Sequence, residues 1–206
     1  MAKGNGGTRG LGPRASEVRS YSGSVLYATD AEMEALINNA VSKKKTVEQF
    51  SGGGNVKIYE DFDYNENDYN DLLEVAKIKA KQERAQVEIL PKIDADNPLY
   101  PKIFPGLTGT IYERKCPDLR VVSVRDGQRY IEYESFLRPF KPRDLSIMLK
   151  RGTRQASSVI IDIRDTEITP DNVRRQVRRN LADPDFKRPI TRVWTYDGKK
   201  LQKVWG

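Results

Sequence analysis

The sequence predicts an α/β fold in which a mixed β-sheet is flanked by helices, and three observations support this prediction. Strand-like and helix-like segments alternate along the chain, most clearly after residue 109, where their order is β-β-β-α-β-α-β-β. The segment SSVIIDIR is an unbroken apolar run, which is typical of a strand buried on both faces. Two Asp-Gly pairs, at 126–127 and 197–198, are placed to close tight hairpins between strand candidates.

The first half of the chain divides into an arm and a region of mixed elements. Residues 1–20 are Gly-rich and basic with few apolar side chains, so we expect a disordered arm. Within residues 21–108, apolar spacing predicts helices over AEMEALINNAVSK and from about residue 67 to 84, and VKIY and VEIL predict strands. The Pro-rich stretch that follows VEIL predicts an ordered connection without regular structure. No role for residues 21–108 follows from the sequence.

Residues 109–206 form the second predicted domain, in which strands and helices alternate. Its first elements are strands at about 109–115, 119–125 and 128–134 and a helix at about 143–156. After the apolar strand, Thr169 is placed to cap a second helix with Pro170 at its first position. The segments ITRVWTY and KLQKVW predict a final hairpin.

Composition limits the chemistry that is open to this chain. The 206 residues carry a net charge of +7, which favours a polyanionic partner such as RNA or DNA. There is no histidine and one cysteine, Cys116, which excludes imidazole bases, His or Cys zinc clusters and internal disulfides. No apolar run is long enough for a membrane helix and no signal peptide is visible, so we expect synthesis in the cytoplasm. Catalysis would depend on carboxylates, Lys, Arg, Tyr, hydroxyl groups or a metal held by oxygen.

Acidic residues cluster on the predicted strands before the first basic helix. Glu132 and Glu134 are two residues apart and point to the same face of their strand. Two like charges side by side are costly unless cations or a metal balance them. Asp118 could lie opposite them and Glu113 could add an oxygen, a set that suits magnesium or manganese. The alternative is a solvated sheet edge whose glutamates pair with nearby Lys and Arg, and spacing alone favours neither.

Basic residues are concentrated in the last third of the chain. Residues 138–206 contain 17 Lys and Arg against 8 Asp and Glu. The second helix places four arginines in two adjacent rows: Arg174, Arg175, Arg178 and Arg179. We expect these rows to bind a phosphate backbone, and the alternative is a solvated helix face that nearby acidic residues partly neutralise.

The runs PDLRVVSVRDGQRYIEYES and LSIMLKRGTRQASSVIIDIR resemble the C-terminal nuclease domain of contact-dependent growth inhibition toxins. These are the CdiA-type tRNA nucleases, with relatives in phages and mobile elements. Members with a restriction-endonuclease-like PD-(D/E)xK fold carry Pro-Asp, then Glu-x-Lys on the next strand, then a helix and a strand. The resemblance covers about residues 109–205 and implies a metal-dependent endoribonuclease, a hydrolase of phosphodiester bonds. It also implies tRNA as substrate, an immunity protein as partner and delivery to target cells.

The resemblance implies roles for particular residues. The Pro-Asp pair falls on Pro117 and Asp118, the next acid on Glu132 and an upstream metal ligand on Glu113. The expected lysine is replaced by Glu134, so either a cation from another element supplies that charge or Glu134 joins the metal ligands.

The candidate site residues form three groups. The candidate catalytic residues are Asp118, Glu132, Glu134 and Lys115. The candidate ligands of a magnesium, manganese or zinc ion are Glu113, Asp118 and Glu132. Besides the four arginines of the second helix, the candidate nucleic-acid-binding residues are Lys150, Arg151, Arg154 and Gln155.

Alternatives stay open for both the fold and the function. Toxin nucleases with the barnase/EndoU/colicin-like α+β fold have a similar overall sequence pattern, but they often use His and typically place their helices before the sheet. The alternative functional hypothesis is that the chain is catalytically inactive and keeps the nuclease scaffold, either as a nucleic-acid-binding protein or as a structural protein of a phage or mobile element. The sequence does not fix an oligomeric state.

Overall fold

A computed structural model describes residues 30–62, 64, 69–135 and 144–206, and the predicted Gly-rich arm lies outside these residues. The described helices are α1 (Asp30–Ser42), α2 (Tyr69–Glu83), α3 (Tyr100–Ile103), α4 (Asp144–Gln155) and α5 (Pro170–Ala182). The described strands are β1 (Lys44–Gln49), β2 (Asn55–Tyr59), β3 (Gln86–Ile89), β4 (Leu119–Ser123), β5 (Gly127–Glu134), β6 (Ser158–Asp162), β7 (Arg192–Tyr196) and β8 (Leu201–Trp205). None of the helices in these ranges is long and apolar enough to cross a membrane.

The strands form an 8-stranded mixed sheet in which they lie in the order of the sequence. The pairs β2–β3, β5–β6 and β6–β7 are parallel, and the other neighbours are antiparallel. Each parallel pair is joined through a helix, since parallel neighbours need a crossover connection. The prediction of an α/β fold with a mixed sheet flanked by helices is confirmed. The sheet continues through both halves of the chain because β3 pairs with β4.

The two faces of the sheet carry different hydrophobic clusters. One face packs against α2, and Ile131 and Tyr133 of β5 belong to that cluster. The other face is covered at one end by the segment after β3 and at the other end by α4 and α5. Side chains alternate along a strand, so Glu132 and Glu134 lie on this second face, in the interval between its two clusters.

Residues 109–115 form turns, so the predicted strand there is wrong. Gly109 and Arg114 have positive φ angles of 75° and 64°, which a strand does not accept. The Thr110 hydroxyl donates to the Leu107 carbonyl, and the Glu113 carboxylate accepts a hydrogen bond from the Gly109 N–H. Local bonds of this kind compete with strand pairing, and β3 lies next to β4 instead.

The Pro-rich connection after β3 is ordered, as predicted, but it contains one helical turn, α3. The prediction of no regular structure is therefore wrong at that turn, where Pro101 lies at the start of the helix, a position that tolerates proline. Its apolar side chains are buried as expected: Leu99, Tyr100, Ile103, Phe104 and Leu107. Thr169 caps α5 through a capping box with Asn172, which confirms that helix start.

Candidate active site

Strand direction brings the acidic residues together at one edge of the sheet. The strands β3 and β5 run in one direction with β4 antiparallel between them, so the ends of β3 and β5 meet the start of β4. Leu119 pairs with Ile131, and the same register brings Asp118 opposite Glu132. In open α/β sheets, ligands bind beyond the carboxyl ends of the strands, which is the edge where this pair lies.

Asp118 is buried and held from both neighbouring strands. Its Oδ2 accepts a hydrogen bond of 2.7 Å from the Tyr133 N–H on β5. Its carbonyl accepts a hydrogen bond of 2.8 Å from the Leu90 N–H at the end of β3. These bonds fix the carboxylate in place at the side of Glu132.

Lys92 is the site residue that the sequence analysis missed. Its ammonium contacts Oδ1 of Asp118 and donates a hydrogen bond of 2.8 Å to the Cys116 carbonyl. Lys92 is 26 positions from Asp118 in the chain, and no motif links them. The only available signal was its position just after the β3 strand, and that signal has meaning only once β3 is known to lie beside β4.

Glu132 is buried without full compensation of its charge. It is in hydrogen-bond contact with Asp118, and its Oε2 has no partner among the described residues. Burial and the charges of Asp118 and Glu134 raise the pKa of Glu132 well above its usual value, and Lys92 lowers it only in part. A cation placed at this pair would therefore stabilise the ionised carboxylates.

Glu134 stands where the resemblance implies a lysine. It is buried, and its Cγ is 3.2 Å from where a Cβ would lie at Gly152, so a glycine in α4 gives it space. Arg151 lies 3.5 Å from its carboxylate. Burial raises the pKa of Glu134 to about 7, with Asp118 adding to the rise and Arg151 and Lys92 opposing it. At neutral pH both the protonated and the ionised form of this carboxyl group are therefore present, and the ionised form can accept a proton.

Glu113 and Lys115 lie in the turns before β4. Glu113 is exposed, and its carboxylate accepts the hydrogen bond from Gly109. Lys115 is half-buried, its carbonyl accepts a bond of 2.6 Å from the Tyr100 hydroxyl, and its ammonium makes no ion pair within the described residues. The structure therefore brings Asp118, Glu132 and Glu134 together and leaves Glu113 and Lys115 outside their contacts.

The donor set at the acid pair fits a hard divalent cation. In the part of the chain that the structure describes, no group of three or more Cys, Asp or Glu is arranged to hold a metal. The pair Asp118 and Glu132 nevertheless offers facing carboxylates, one of them with the unpartnered oxygen. Magnesium and manganese take oxygen ligands, whereas zinc sites in proteins rely mainly on His and Cys, so the donors fit the first two ions better.

The predicted RNA-binding residues of α4 lie on the same side of the sheet as the acid pair. Arg151 contacts Glu134, and Lys150 lies 3.9 Å from Asp183. Arg154 is exposed. The Oε1 of the partly buried Gln155 has no hydrogen-bond partner among the described residues. This end of α4 is thus cationic.

The arginines of α5 differ in how firmly the fold holds them. Arg174 donates to the Val204 carbonyl and pairs with Asp171, so contacts within the protein already hold its guanidinium group. Arg175, Arg178 and Arg179 are exposed, and no ion pair within residues 30–62, 64, 69–135 and 144–206 involves them. These three arginines are the available cations of α5.

The site as a whole is an acid pair with a contacting lysine, bordered by α4 with its exposed Arg151 and Arg154. The helix α5, which carries three more exposed arginines, packs against α4. The chain matches no protein-family model, and searches of the curated proteins and of the solved structures found no match either.

Proposed function

We propose that this chain is a metal-dependent endoribonuclease of the toxin type that cleaves tRNA and has a restriction-endonuclease-like arrangement. The observation that carries this proposal is the buried pair of Asp118, immediately before β4, and Glu132, on the neighbouring strand β5, with an oxygen of Glu132 lacking a partner among the described residues. The order Pro-Asp, acidic strand, helix and strand, which the resemblance implies, is the order of β4, β5, α4 and β6. Helices interleaved with the strands favour this arrangement over an α+β fold whose helices precede the sheet.

In the proposed reaction, two of the acidic residues are metal ligands and the third is a base. Asp118 and Glu132 would hold a magnesium or manganese ion between adjacent strands. When bound, such an ion supplies positive charge to the phosphate and lowers the pKa of a water molecule. Glu134, whose pKa is about 7, would accept the proton of the attacking water. Burial of all three side chains would strengthen the attraction between the ionised carboxylates and a bound cation, because bulk water that would screen it is excluded.

The surface charge supports a nucleic-acid substrate. Arg175, Arg178 and Arg179 would bind phosphates along α5, while Arg151 and Arg154 would bind them nearer to the acid pair. The net charge of +7 would speed association with RNA. The resemblance adds tRNA as the substrate and a cognate immunity protein as the partner that blocks this surface.

Cleavage of total tRNA tests the proposal. We expect the wild type to cut in magnesium or manganese and to stop in EDTA. We expect Glu132→Gln to slow cleavage about 100-fold or more, the scale of removing a major electrostatic interaction from a transition state. The matched control is Glu60→Gln, which changes an exposed glutamate in the same way. If wild type and Glu132→Gln both bind RNA and neither cuts it in any metal, the enzyme proposal is wrong.

A second candidate is a nucleic-acid-binding protein without catalysis. The observation that favours it is the Lys92–Asp118 contact together with Glu134 in place of a lysine, since a protein cation already neutralises part of the pair. This candidate predicts RNA affinity that EDTA does not change. It also predicts that Glu132→Gln changes neither the affinity for RNA nor the integrity of the bound RNA.

A further inference from the structure

Different cations approach the acidic residues Asp118 and Glu134 from two sides. On the α4 side, Arg151 contacts Glu134, but its side chain is 62% exposed, so water screens this ion pair. On the β3 side, the Lys92 ammonium contacts Asp118 directly, with 30% of its side chain exposed. Within the ranges that the structure describes, no other Lys or Arg makes an ion pair with Asp118 or Glu132.

The backbone around Lys92 is tied to the start of β4. The Leu90 N–H bonds to the Asp118 carbonyl at 2.8 Å, and the Cys116 thiol donates to the Ile93 carbonyl at 3.1 Å. The Lys92 ammonium itself donates to the Cys116 carbonyl at 2.8 Å. These bonds join the segment after β3 to the segment before β4, so the ammonium is held at Asp118 by bonds on either side of it.

We propose that Lys92 is the cation of this active site, a positioning residue for Asp118 that replaces the lysine expected at residue 134. This inference rests on the proposed nuclease function. Lys92 keeps the Asp118 carboxylate turned toward Glu132 and leaves the second oxygen of Glu132 for a metal.

The geometry accounts for a lysine that comes from the segment after β3. The side chain at residue 134 points toward α4, where Glu134 lies against Gly152. A lysine at that position and Lys92 would reach the pair from opposite sides and meet at the same carboxylates. The role can therefore be moved between the two positions, which makes it testable.

The test compares wild type, Lys92→Met and Lys92→Met/Glu134→Lys. It measures single-turnover cleavage of tRNA and binding of Mn²⁺ by electron paramagnetic resonance. We expect Lys92→Met to cut about 100-fold more slowly, the scale of removing a preorganised charge from the site. We expect it to bind Mn²⁺ about 5-fold more tightly, because a competing cation has left Asp118. The double variant should return the Mn²⁺ affinity to about the wild-type value, since a cation again competes at the pair, while cleavage stays slow because Glu134, the proposed base, is lost.

A merely structural role would not produce tighter Mn²⁺ binding together with slower cleavage. The control is Lys102→Met, an exposed lysine in the same connection, which should leave both measurements unchanged. Lys92→Gln, which keeps a hydrogen bond without the charge, is judged by the same two measurements if Lys92→Met does not fold. Wild-type cleavage and wild-type Mn²⁺ affinity in the Lys92 variant would overturn the inference.

The failure of this inference differs from the failure of the proposed function. If the wild type cuts no RNA in any metal, the proposed function fails, and the Mn²⁺ titration alone judges Lys92. Unchanged Mn²⁺ affinity in Lys92→Met would then overturn the competition of Lys92 with a metal at Asp118, and tighter binding would support that competition without a catalytic role.

Discussion

Two buried carboxylate clusters lie on the same face of the sheet, and their electrostatics are opposite. Glu88 on β3 pairs in register with Arg120 on β4. The Glu88 carboxylate accepts hydrogen bonds from Arg120, from Gln86, from Lys44 at 3.0 Å and from the Tyr59 hydroxyl at 3.3 Å. Burial alone would raise the pKa of Glu88, but Arg120 and Lys44 outweigh burial and leave it below its usual value.

At Glu132 the balance is reversed. Its Oε2 has no partner among the described residues, and two further carboxylates, Asp118 and Glu134, add negative charge nearby. Burial and that charge raise its pKa well above the usual value. The comparison shows that burial alone does not decide the role of a carboxylate. A full set of donors marks a structural ion pair, and a deficit marks a candidate ligand site.

The largest expected effect on stability is at the Glu88 cluster. Glu88→Gln leaves the Arg120 guanidinium buried without its counter-charge, so we expect the free energy of unfolding to fall by about 3–5 kcal/mol. Urea unfolding followed by circular dichroism measures this loss. Glu132→Gln should not destabilise the protein. If both variants lose the same stability, the two clusters do not differ as described.

The next effect is the pH dependence of the acid site. The folded protein raises the pKa of Glu134 from 4.5 to about 7, so it holds a proton that the unfolded chain releases. The stabilising contribution of protonated Glu134 is therefore fully present below the pKa that the group has in the unfolded chain, and it is lost as the pH rises through about 7. In metal-free buffer at about pH 8, the free energy of unfolding of Glu134→Gln should exceed that of wild type by up to about 3 kcal/mol.

The same variant provides its own control at low pH. Near pH 4, where Glu134 is protonated in both the folded and unfolded states, Glu134→Gln and wild type should have nearly equal free energies of unfolding. A stability difference that is the same at both pH values would show that Glu134 is not destabilised by its charge.

A smaller effect concerns the surface arginines of α5. Arg178→Ala/Arg179→Ala should weaken RNA binding and reduce the slope of log K against log salt by about 0.7–0.9 for each phosphate that the variant no longer neutralises. Arg174→Ala is the matched comparison, because Arg174 already bonds to Val204 and Asp171. An equal change of slope in both variants would contradict the division between free and structural arginines.

The smallest effect is expected at Arg151. Its ion pair with Glu134 is largely exposed on the arginine side, so Arg151→Ala should change the free energy of unfolding by about 0–1 kcal/mol. The pKa of Glu134 should nevertheless rise, because Arg151 lowers it in the wild type. Carboxyl NMR titration of metal-free protein measures this pKa. A pKa that falls in Arg151→Ala would contradict the assigned contact.

Local patterns in the sequence predicted the elements that carry their own signals. The Asp126-Gly127 pair predicted the β4–β5 hairpin, and Thr169 with Pro170 predicted the start of α5. The strand β1 was not predicted, because KKTVEQ is charged and only half-buried and lacks a clear alternation. The turns at residues 109–115 depend on side-chain bonds to the backbone, which hydropathy does not reveal.

The site was predictable only in part, because some of its contacts join segments that are distant in the chain. Glu132 and Glu134 share a face through their spacing alone, and Asp118 follows from the hairpin register. Lys92 reaches Asp118 only because β3 lies beside β4, a pairing between segments that are distant in the chain. The difference between Glu88 and Glu132 depends on partners contributed by several strands, so no local pattern could separate them.

The most direct test of the acid pair is titration of the metal-free protein with Mn²⁺ near neutral pH, with free Mn²⁺ followed by electron paramagnetic resonance and proton release measured in weak buffer. We predict that Mn²⁺ binds and that protons are released, because a bound cation favours ionised Glu132 and Glu134. Asp118→Asn and Glu132→Gln should lose both signals, and Glu60→Gln should keep them. Mn²⁺ binding that survives both substitutions at the pair, or no binding by the wild type, would contradict the assignment.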